Sequence, residues 1–276
     1  MSGTLYVVGT PIGNLGDFSP RAIETLQTVD FIAAEDTRVT LKLLNHFDIK
    51  KPMVSYYEHN IRQRGEMIVA RLLQGESCAI VTDAGMPCIS DPGEDLVALC
   101  ARHGIPTVVV PGPSAAISAL AVSGLSTSRF SFEGFLTTNK RGRQEHLQAL
   151  VDDTHTLIFY EAPHKLNATL KDMLAVLGDR PISLVRELTK LHEEVFRTTL
   201  AAAVEHYEAN PPRGEFVLIV AGAQPKDNKE EITFEEAVEM VKALQEKEDL
   251  PASEAARRIA KETGYKKGEL YKAALA

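Results

Sequence analysis

The sequence predicts an α/β protein: two α/β domains followed by a small, all-helical module of helix-turn-helix character. Three observations lead there. Over the first ~120 residues, short β-branched runs alternate with stretches of helical periodicity, the pattern of βαβ units. Further along, strand candidates continue, but some follow one another with no helix between them, which calls for a mixed sheet. Beyond Gly222 the strand signal stops and only helical periodicity remains.

Taken in order, Thr4–Val8 reads as a strand, rich in β-branched and aromatic side chains. Ser19 then caps a helix over Pro20–Val29, with Pro20 in the first helical position, where its missing N–H is no loss. Phe31–Ala34 is a second buried strand, followed by a helix through Leu41, Leu43 and Leu44. Ala79–Val81 and Thr107–Val110 complete the parallel set, separated by a helix over Asp91–Arg102 that Gly104 ends. Pro111-Gly112-Pro113 closes the last strand before a helix from Ser114 to Ser123, and Gly124 to Ser128 is a short linker.

In the second domain the expected strands are Phe130–Phe135, Thr156–Tyr160, Ile182–Val185, Val195–Thr199 and Phe216–Val220. Helices are expected near Arg143–Val151, Lys165–Leu177 and Leu200–Tyr207. Gln224-Pro225-Lys226-Asp227-Asn228-Lys229 is polar, charged and turn-rich, the chemistry of a linker. The tail reads as helices over Phe234–Lys247, Ala252–Lys261 and Lys267–Leu275, broken at Gly264, with Ala255, Ile259 and Leu270 facing a small core. The expected domains are residues 1–123, 124–222 and 233–276.

Composition narrows the function. With 276 residues and 44% hydrophobic content the chain has ample material for true cores. A net charge of −8 argues against broad nonspecific nucleic-acid binding, so any RNA contact must rest on local patches. The three cysteines, Cys78, Cys88 and Cys100, form no C-x-x-C pair and cannot all be disulfide-bonded, which suits reduced thiols in a cytoplasmic protein. No apolar run approaches the ~18–20 residues of a membrane span, and the N-terminus lacks a basic segment followed by a signal core, so a soluble protein without a membrane partner is expected. The eight histidines show no H-x-x-x-H or Cys/His ligand spacing, and no metal is expected.

The most informative stretch is Val81-Thr82-Asp83-Ala84-Gly85-Met86-Pro87-Cys88-Ile89-Ser90-Asp91-Pro92-Gly93. An apolar run stops abruptly in small residues, turn formers and two carboxylates, at the carboxyl end of a parallel strand, where open α/β sheets place ligands. Only small side chains let a ligand approach the backbone this closely. After the first strand, Val8-Gly9-Thr10-Pro11-Ile12-Gly13-Asn14-Leu15-Gly16-Asp17 has the glycine density of a nucleotide loop, yet matches neither G-x-G-x-x-G nor a P-loop. It serves equally well as a plain turn. Ala34-Glu35-Asp36-Thr37-Arg38 puts carboxylates at the end of the second strand, although Asp36 or Thr37 capping the next helix, with Arg38 in an ion pair, accounts for the same residues. In Ser55–Asn60, His59 and Asn60 either bind substrate or cap a helix at Ile61.

Together, Val7–Asp17, Glu35–Arg38, Glu58–Asn60, Val81–Gly93, Val110–Ala116, Phe132–Leu136, Phe159–His164 and Arg186–Glu194 resemble one family, in order and at matching spacing. They look like the tetrapyrrole-methylase superfamily of S-adenosylmethionine-dependent enzymes, and within it the branch that methylates a cytidine ribose at its 2′-oxygen in 16S rRNA, at the decoding centre of the small ribosomal subunit. The resemblance runs from Gly3 through the helical tail. It implies a homodimer, with S-adenosyl-L-methionine folded into the cleft between two α/β domains.

Matched position by position, the resemblance assigns Asp83, Ala84 and Gly85 to the cofactor, with Cys88 as an apolar contact. Pro11 and Ile12 join from the first loop, Ser114 and Ala115 from the turn after the fourth strand, and Glu161 and Leu188 from the second domain. The sequence departs from the family pattern at Met86 for a usual Thr, Cys88 for Leu, Thr82 for Ser and Tyr57 for His. These positions adjoin the site and touch affinity more than identity.

The implied reaction is direct displacement of a methyl group from a sulfonium by a ribose 2′-oxygen, with no covalent enzyme intermediate. Catalysis then comes mainly from in-line positioning and exclusion of water. A ribose hydroxyl attacks well only as its proton leaves, and Glu35, Asp36, His59 and Glu161 are the unranked candidates for a base. For RNA contacts the sequence offers Lys140, Arg141 and Arg143 in a loop cluster with Asn139. Arg186 and Lys190 follow at a strand end, unless Glu187 neutralises both, and the tail adds Arg257, Arg258, Lys261, Lys266, Lys267 and Lys272. A-form RNA hides its major groove, so the tail would grip phosphates and shape. The alternatives are a porphyrinoid C-methyltransferase, disfavoured by the tail and by the E-D-T-R and D-A-G-x-P loops where that branch typically has a G-D-P loop, and a noncatalytic ribosome-assembly factor.

Overall fold

Leu5–Val8 (β1), Phe31–Ala34 (β2), Met53–Ser55 (β3), Cys78–Val81 (β4) and Thr107–Val110 (β5) form one sheet ordered β3-β2-β4-β1-β5, parallel throughout. The structure is a computed structural model and describes residues 2–224 and 232–276. It divides into two units, Met1–Ala223 and Gln224–Ala276.

Helices cover both faces of this first sheet. Pro20–Thr28 (α1) and Thr37–His46 (α2) send Ala22, Leu26 and Leu44 against Val8, Ile32, Ala34, Ala79 and Val81. On the other face Ile61–Leu73 (α3) and Glu94–Arg102 (α4) bring Ile68, Val69, Leu72, Leu96 and Cys100 onto Leu5, Val7, Phe31, Ala33 and Ile80. Successive strand residues point to opposite faces, so burial on both sides requires the unbroken apolar runs seen in β2 and β4. Because every strand is parallel, the loops after β1, β2, β4 and β5 leave from one edge.

Phe130–Phe135 (β6), Thr156–Glu161 (β7), Pro181–Arg186 (β8), Glu194–Thr199 (β9) and Phe216–Val220 (β10) form the second sheet, ordered β6-β7-β10-β8-β9. It is mixed, as expected: β6 and β7 are parallel, and the remaining pairs are antiparallel. Lys140–Ala149 (α6), Pro163–Leu177 (α7) and Leu200–Ala209 (α8) pack one face through Leu147, Leu166, Leu170, Met173, Leu200 and Ala203. The other face receives Ala115–Ser123 (α5), whose Ala116, Ala119 and Leu120 meet Ile158, Val185, Val217 and Ile219. The helix that leaves the first sheet is thus built into the second.

The tail forms Phe234–Glu248 (α9), Ala252–Thr263 (α10) and Lys267–Leu275 (α11) around its own core of Val238, Val241, Ala255, Ile259 and Leu270. Thr233 and Glu236 close a capping box at the start of α9, and Gly264 ends α10 in the left-handed region. Of the expected linker, Pro225 to Lys229 lie outside the described residues.

Three local expectations need correction. The helix after the informative loop begins at Glu94, not Asp91: Gly93 stands at φ 138, and a Cβ there would come within 2.6 Å of Cys88 Sγ, so Asp91 and Pro92 stay in the loop. Lys140, Arg141 and Arg143 belong to the first turn of α6, capped by Asn139 Oδ1 accepting from the Gly142 amide at 3.1 Å, and not to a preceding loop. The parallel set, expected to be complete with Ala79–Val81 and Thr107–Val110, has a fifth strand at its edge, β3, whose three residues are too few to show a period.

Candidate functional site

The loops at the carboxyl edge of the first sheet are tied to one another. Thr10 and Gly85 exchange backbone bonds at 2.9 and 3.2 Å, joining the loop after β1 to the loop after β4. Thr82 Oγ1 donates to Glu35 Oε2 at 2.5 Å, and the Asp83 amide donates to the same oxygen at 3.3 Å, joining β4 to β2. The Asp36 amide in turn donates to Asp83 Oδ1 at 3.2 Å. The β4 loop carries Gly85 at φ 90, Cys88 at φ 72, Ser90 at φ 64 and Gly93 at φ 138. Two non-glycine residues in the left-handed region within three positions is a costly backbone, held only because its surroundings over-determine it.

These loops and the second sheet enclose a cavity of about 520 Å³. From the first sheet's side come Ile12, Glu35, Thr82–Met86, Ile89–Asp91, Ser114 and Ala115. From the second come Phe135, Tyr160–Pro163, Val185, Leu188 and Glu215–Val217. Tyr160 spans the two, its hydroxyl accepting from the Ala116 amide at 3.2 Å while its ring meets Phe132 and Phe135 edge-on. A second cavity, of about 540 Å³, adjoins it: Glu35, Ser90 and Asp91 line both, and Tyr57, Glu58, His59, Cys88, Glu94 and Asp95 line the second alone.

Of the residues assigned to the cofactor, Ile12, Asp83, Ala84, Gly85, Ser114, Ala115, Glu161 and Leu188 line the first cavity. Pro11 is buried outside its lining, and Cys88 faces the second cavity. Of the candidate bases, Glu35 and Glu161 line the first cavity, His59 lines the second, and Asp36 lines neither. Glu161 is buried with both oxygens engaged, by the Ala162 amide at 2.9 Å and Thr169 Oγ1 at 2.5 Å, so it braces the start of α7. Asp36 caps α2 and binds the Arg38 guanidinium, whose hydrogen bonds hold its carboxyl down at about 2.

The opposite shift marks the cavity wall. Burial, then the neighbouring Glu35 charge and more weakly that of Asp83, push the Asp91 carboxyl up to about 6, against a lowering by the Thr82 hydrogen bond. Asp83 is also raised, by burial and then by Glu35. Asp91, Phe135, Tyr160 and the Glu215–Val217 strand start were not among the expected site residues. The signal for Asp91 was its place in the small-residue loop, obscured by assigning it to a helix.

The expected RNA contacts divide sharply. Arg143 is buried, its guanidinium 2.6 Å from Asp172 on α7, so it does not reach the surface. Lys190 bridges Glu187 at 3.0 Å and Glu215 at 2.8 Å, and Arg186 pairs with Glu194 at 2.8 Å. Arg141 is exposed beside Glu145, while Lys140 is exposed with no ion pair among the described residues. In the tail, Arg257 and Arg258 pair with Glu254 and Glu248 and Lys266 lies 3.6 Å from Glu269, whereas Lys261, Lys267 and Lys272 are exposed and unpaired among the described residues. Among those residues no cluster of three or more metal-ligating side chains occurs, and no helix is long and apolar enough to cross a membrane.

Comparison with known proteins is consistent over the whole length. A family model described as Tetrapyrrole (Corrin/Porphyrin) Methylases matches residues 4–204, and one described as RsmI C-terminal HTH domain matches residues 233–276. The chain is 49% identical over 274 residues to the ribosomal RNA small subunit methyltransferase I of Synechocystis sp., covering 99% of this chain and 98% of that one. The Haemophilus influenzae protein of the same name is 45% identical, covering 100% and 98%. The one from Thermotoga maritima is 48% identical over 222 residues, which is 80% of this chain but 100% of that protein. Among solved structures, the uroporphyrin-III-C-methyltransferase of Thermus thermophilus superposes with a TM-score of 0.55 at 19% identity, covering 79% of this chain and 94% of the other. A cobalt precorrin-4 methyltransferase gives 0.58 at 17%, covering 78% and 94%.

Proposed function

Because the chain belongs to the tetrapyrrole methylase family, we propose that it methylates small-subunit ribosomal RNA, transferring a methyl group from S-adenosyl-L-methionine to the 2′-oxygen of a cytidine ribose at the decoding centre. One observation carries the reading. Loops from both sheets converge on one cavity lined by Asp83-Ala84-Gly85, in a chain whose full-length relatives are ribosomal RNA small subunit methyltransferases I.

The residues present fit the cofactor. The cavity has the size of a nucleoside-class site. Ala84 and Gly85 leave the backbone open, Ile12, Met86, Leu188 and Val217 offer apolar surface, and Glu35 and Asp83 supply negative charge toward a cation. Ile12, Asp83–Gly85, Ser114, Ala115 and Leu188 would hold it. When bound, it supplies a methyl carbon made electrophilic by the sulfonium. The chain's part is to align the ribose oxygen with that carbon, exclude water and receive a proton.

Specificity for RNA rests on patches, given the net charge of −8. Lys140 and Arg141 stand at the N-terminus of α6, where positive side chains oppose the helix dipole. A phosphate docked there would satisfy both, with the free amides of the first turn. Lys261, Lys267 and Lys272 make the tail a second anchor. That anchor is auxiliary, since a relative bearing the same name is matched end to end by 80% of this chain. The assembled subunit, rather than free RNA, is the substrate this sparse basic surface suits. The protein acts as a cytoplasmic homodimer, and the exposed apolar side chains of edge strand β5, Val108 and Val109, with Ile117 of α5, favour contact with a second copy.

The test is transfer of a tritiated methyl group to small subunits lacking the modification, with the labelled nucleotide mapped. Label on a single cytidine 2′-oxygen at the decoding centre is the expected result. Cofactor binding without label on any RNA would overturn the reading in favour of a porphyrinoid substrate or a noncatalytic assembly role.

A further inference from the structure

Five carboxylates stand around the cavity, and four already have fixed work, Glu215 holding the Lys190 ammonium at 2.8 Å. Glu35 accepts from Thr82 and the Asp83 amide, Asp83 accepts from the Asp36 amide, and Glu161 has both oxygens bound. Asp91 is different. Among the described residues its hydrogen-bonding partner is the Thr82 hydroxyl, which has a single hydrogen and lies 2.5 Å from Glu35. Asp91 therefore keeps acceptor capacity open toward the cavity.

Its position is also enforced. Cys88 and Ser90 hold left-handed backbone, and Gly93 at φ 138 stops the helix short, so the chain stays in an unfavourable loop that turns Asp91 into the wall shared by the two cavities. Strain of this kind is retained where a side chain must be aimed.

We propose that Asp91 is the proton acceptor of the methyl transfer, taking the proton of the attacking ribose 2′-hydroxyl. This rests on the cleft being the ribose methylation site. The new O–C bond forms as the C–S bond breaks, the C–S electron pair stays on sulfur and cancels the sulfonium charge, and the proton passes to Asp91 and on to solvent. The groups that face Asp91 are Thr82 and Asp83 from the end of β4, Glu35 from the end of β2, Tyr160 from β7, and Cys88, Ser90 and Glu94 from its own loop and the start of α4. No positive side chain is among them. Burial and the two acidic neighbours therefore hold the carboxyl near 6, high for a carboxylic acid and suited to a base at neutral pH.

Asp91→Asn keeps the shape and removes the proton acceptor. Cofactor affinity by calorimetry should stay within about twofold of the parent, while single-turnover methyl transfer to small subunits falls by about 100-fold or more. In the parent that rate should rise with pH through about 6, and the variant should lose this limb. Carbon-13 NMR of labelled aspartates should show a carboxyl titrating at that midpoint, absent from the variant. Transfer by Asp91→Asn at the parental rate overturns the assignment alone, as does a loss of cofactor affinity that matches the loss of rate. Failure of the unsubstituted protein to methylate any RNA overturns the reading beneath it.

Discussion

Gly9 and Gly112 meet backbone to backbone: a Cβ on Gly9 would stand 2.7 Å from Gly112 Cα, and one on Gly112 would stand 2.8 Å from Gly9 Cα. The contact brings the loop after β1 against the loop after β5, so that Ile12 and Ser114 line the same cavity. Neither glycine has a positive φ. Space alone, and not conformation, demands them.

Gly9→Ala or Gly112→Ala forces two backbones apart, and main chain yields far less readily than a flexible side chain. Each should destabilise the protein by about 1–3 kcal/mol, the range for overpacking a tight site. Each should also weaken cofactor binding. Urea denaturation and calorimetric titration measure the two effects. Unchanged midpoints would mean that the loops have slack this geometry does not show.

Arg143 and Asp172 form a pair with each side chain only 10% exposed, and Arg143 also donates to the carbonyls of Thr137 and Thr138 at 3.3 Å. Arg143→Ala leaves Asp172 buried and uncompensated, for an expected loss of about 3–5 kcal/mol. Lys140→Ala, one turn earlier and exposed, should leave stability unchanged and lower affinity for the small subunit. The reverse pattern in denaturation and binding measurements would contradict the division drawn between these neighbours.

Asp91 makes stability depend on pH in a defined direction. Its carboxyl sits at about 6 in the folded protein because burial and the Glu35 and Asp83 charges disfavour ionisation. Unfolded, it titrates near the ordinary ~4, so the folded state binds the extra proton between those values and loses stability as pH rises through them. Asp91→Asn does not ionise. It should melt above the parent at neutral pH and level with it at pH ~4. Calorimetric scans at both pH values decide, and an equal gain at both would show a cause other than charge.

The tail has its own core, in which Ala255, Ile259 and Leu270 are buried. Ending the chain at Ala223 should preserve cofactor affinity and weaken binding to the small subunit, the weakening being larger at low salt. Filter binding across a salt series is the measurement. Undiminished affinity would remove the tail from RNA recognition.

Much of the scaffold was legible because burial on both faces leaves its mark on β2 and β4 as unbroken apolar runs, and because Ser19, Pro20 and Gly264 are local punctuation. The Asp83–Gly85 loop was legible for the same reason, being small residues at a strand end. What lay beyond reach was pairwise and distant. Phe216 lies opposite Glu161 in the antiparallel β10–β7 pair, which puts Glu215–Val217 in the cavity wall, and no local pattern records that register. Arg143 read as one more surface cation in Lys140-Arg141-Gly142-Arg143, since its partner Asp172 is a helix away in the chain. Asp91 read as the first residue of a helix, since the contact that forbids that helix start, Gly93 against Cys88 Sγ, depends on the loop already being closed.

The strand order of the first sheet also sets a timetable. Leu5 pairs with Cys78 on one side and Thr107 on the other, so β1 is made first and secured last. At ~5–20 residues per second, the ~102 residues from Leu5 to Thr107 take on the order of 5–20 s to synthesise. Through that interval an apolar strand waits for its second neighbour in the nascent chain. Any N-terminal fragment that stops before β5 leaves the sheet with β1 as a bare edge, the condition under which strands find partners in other molecules.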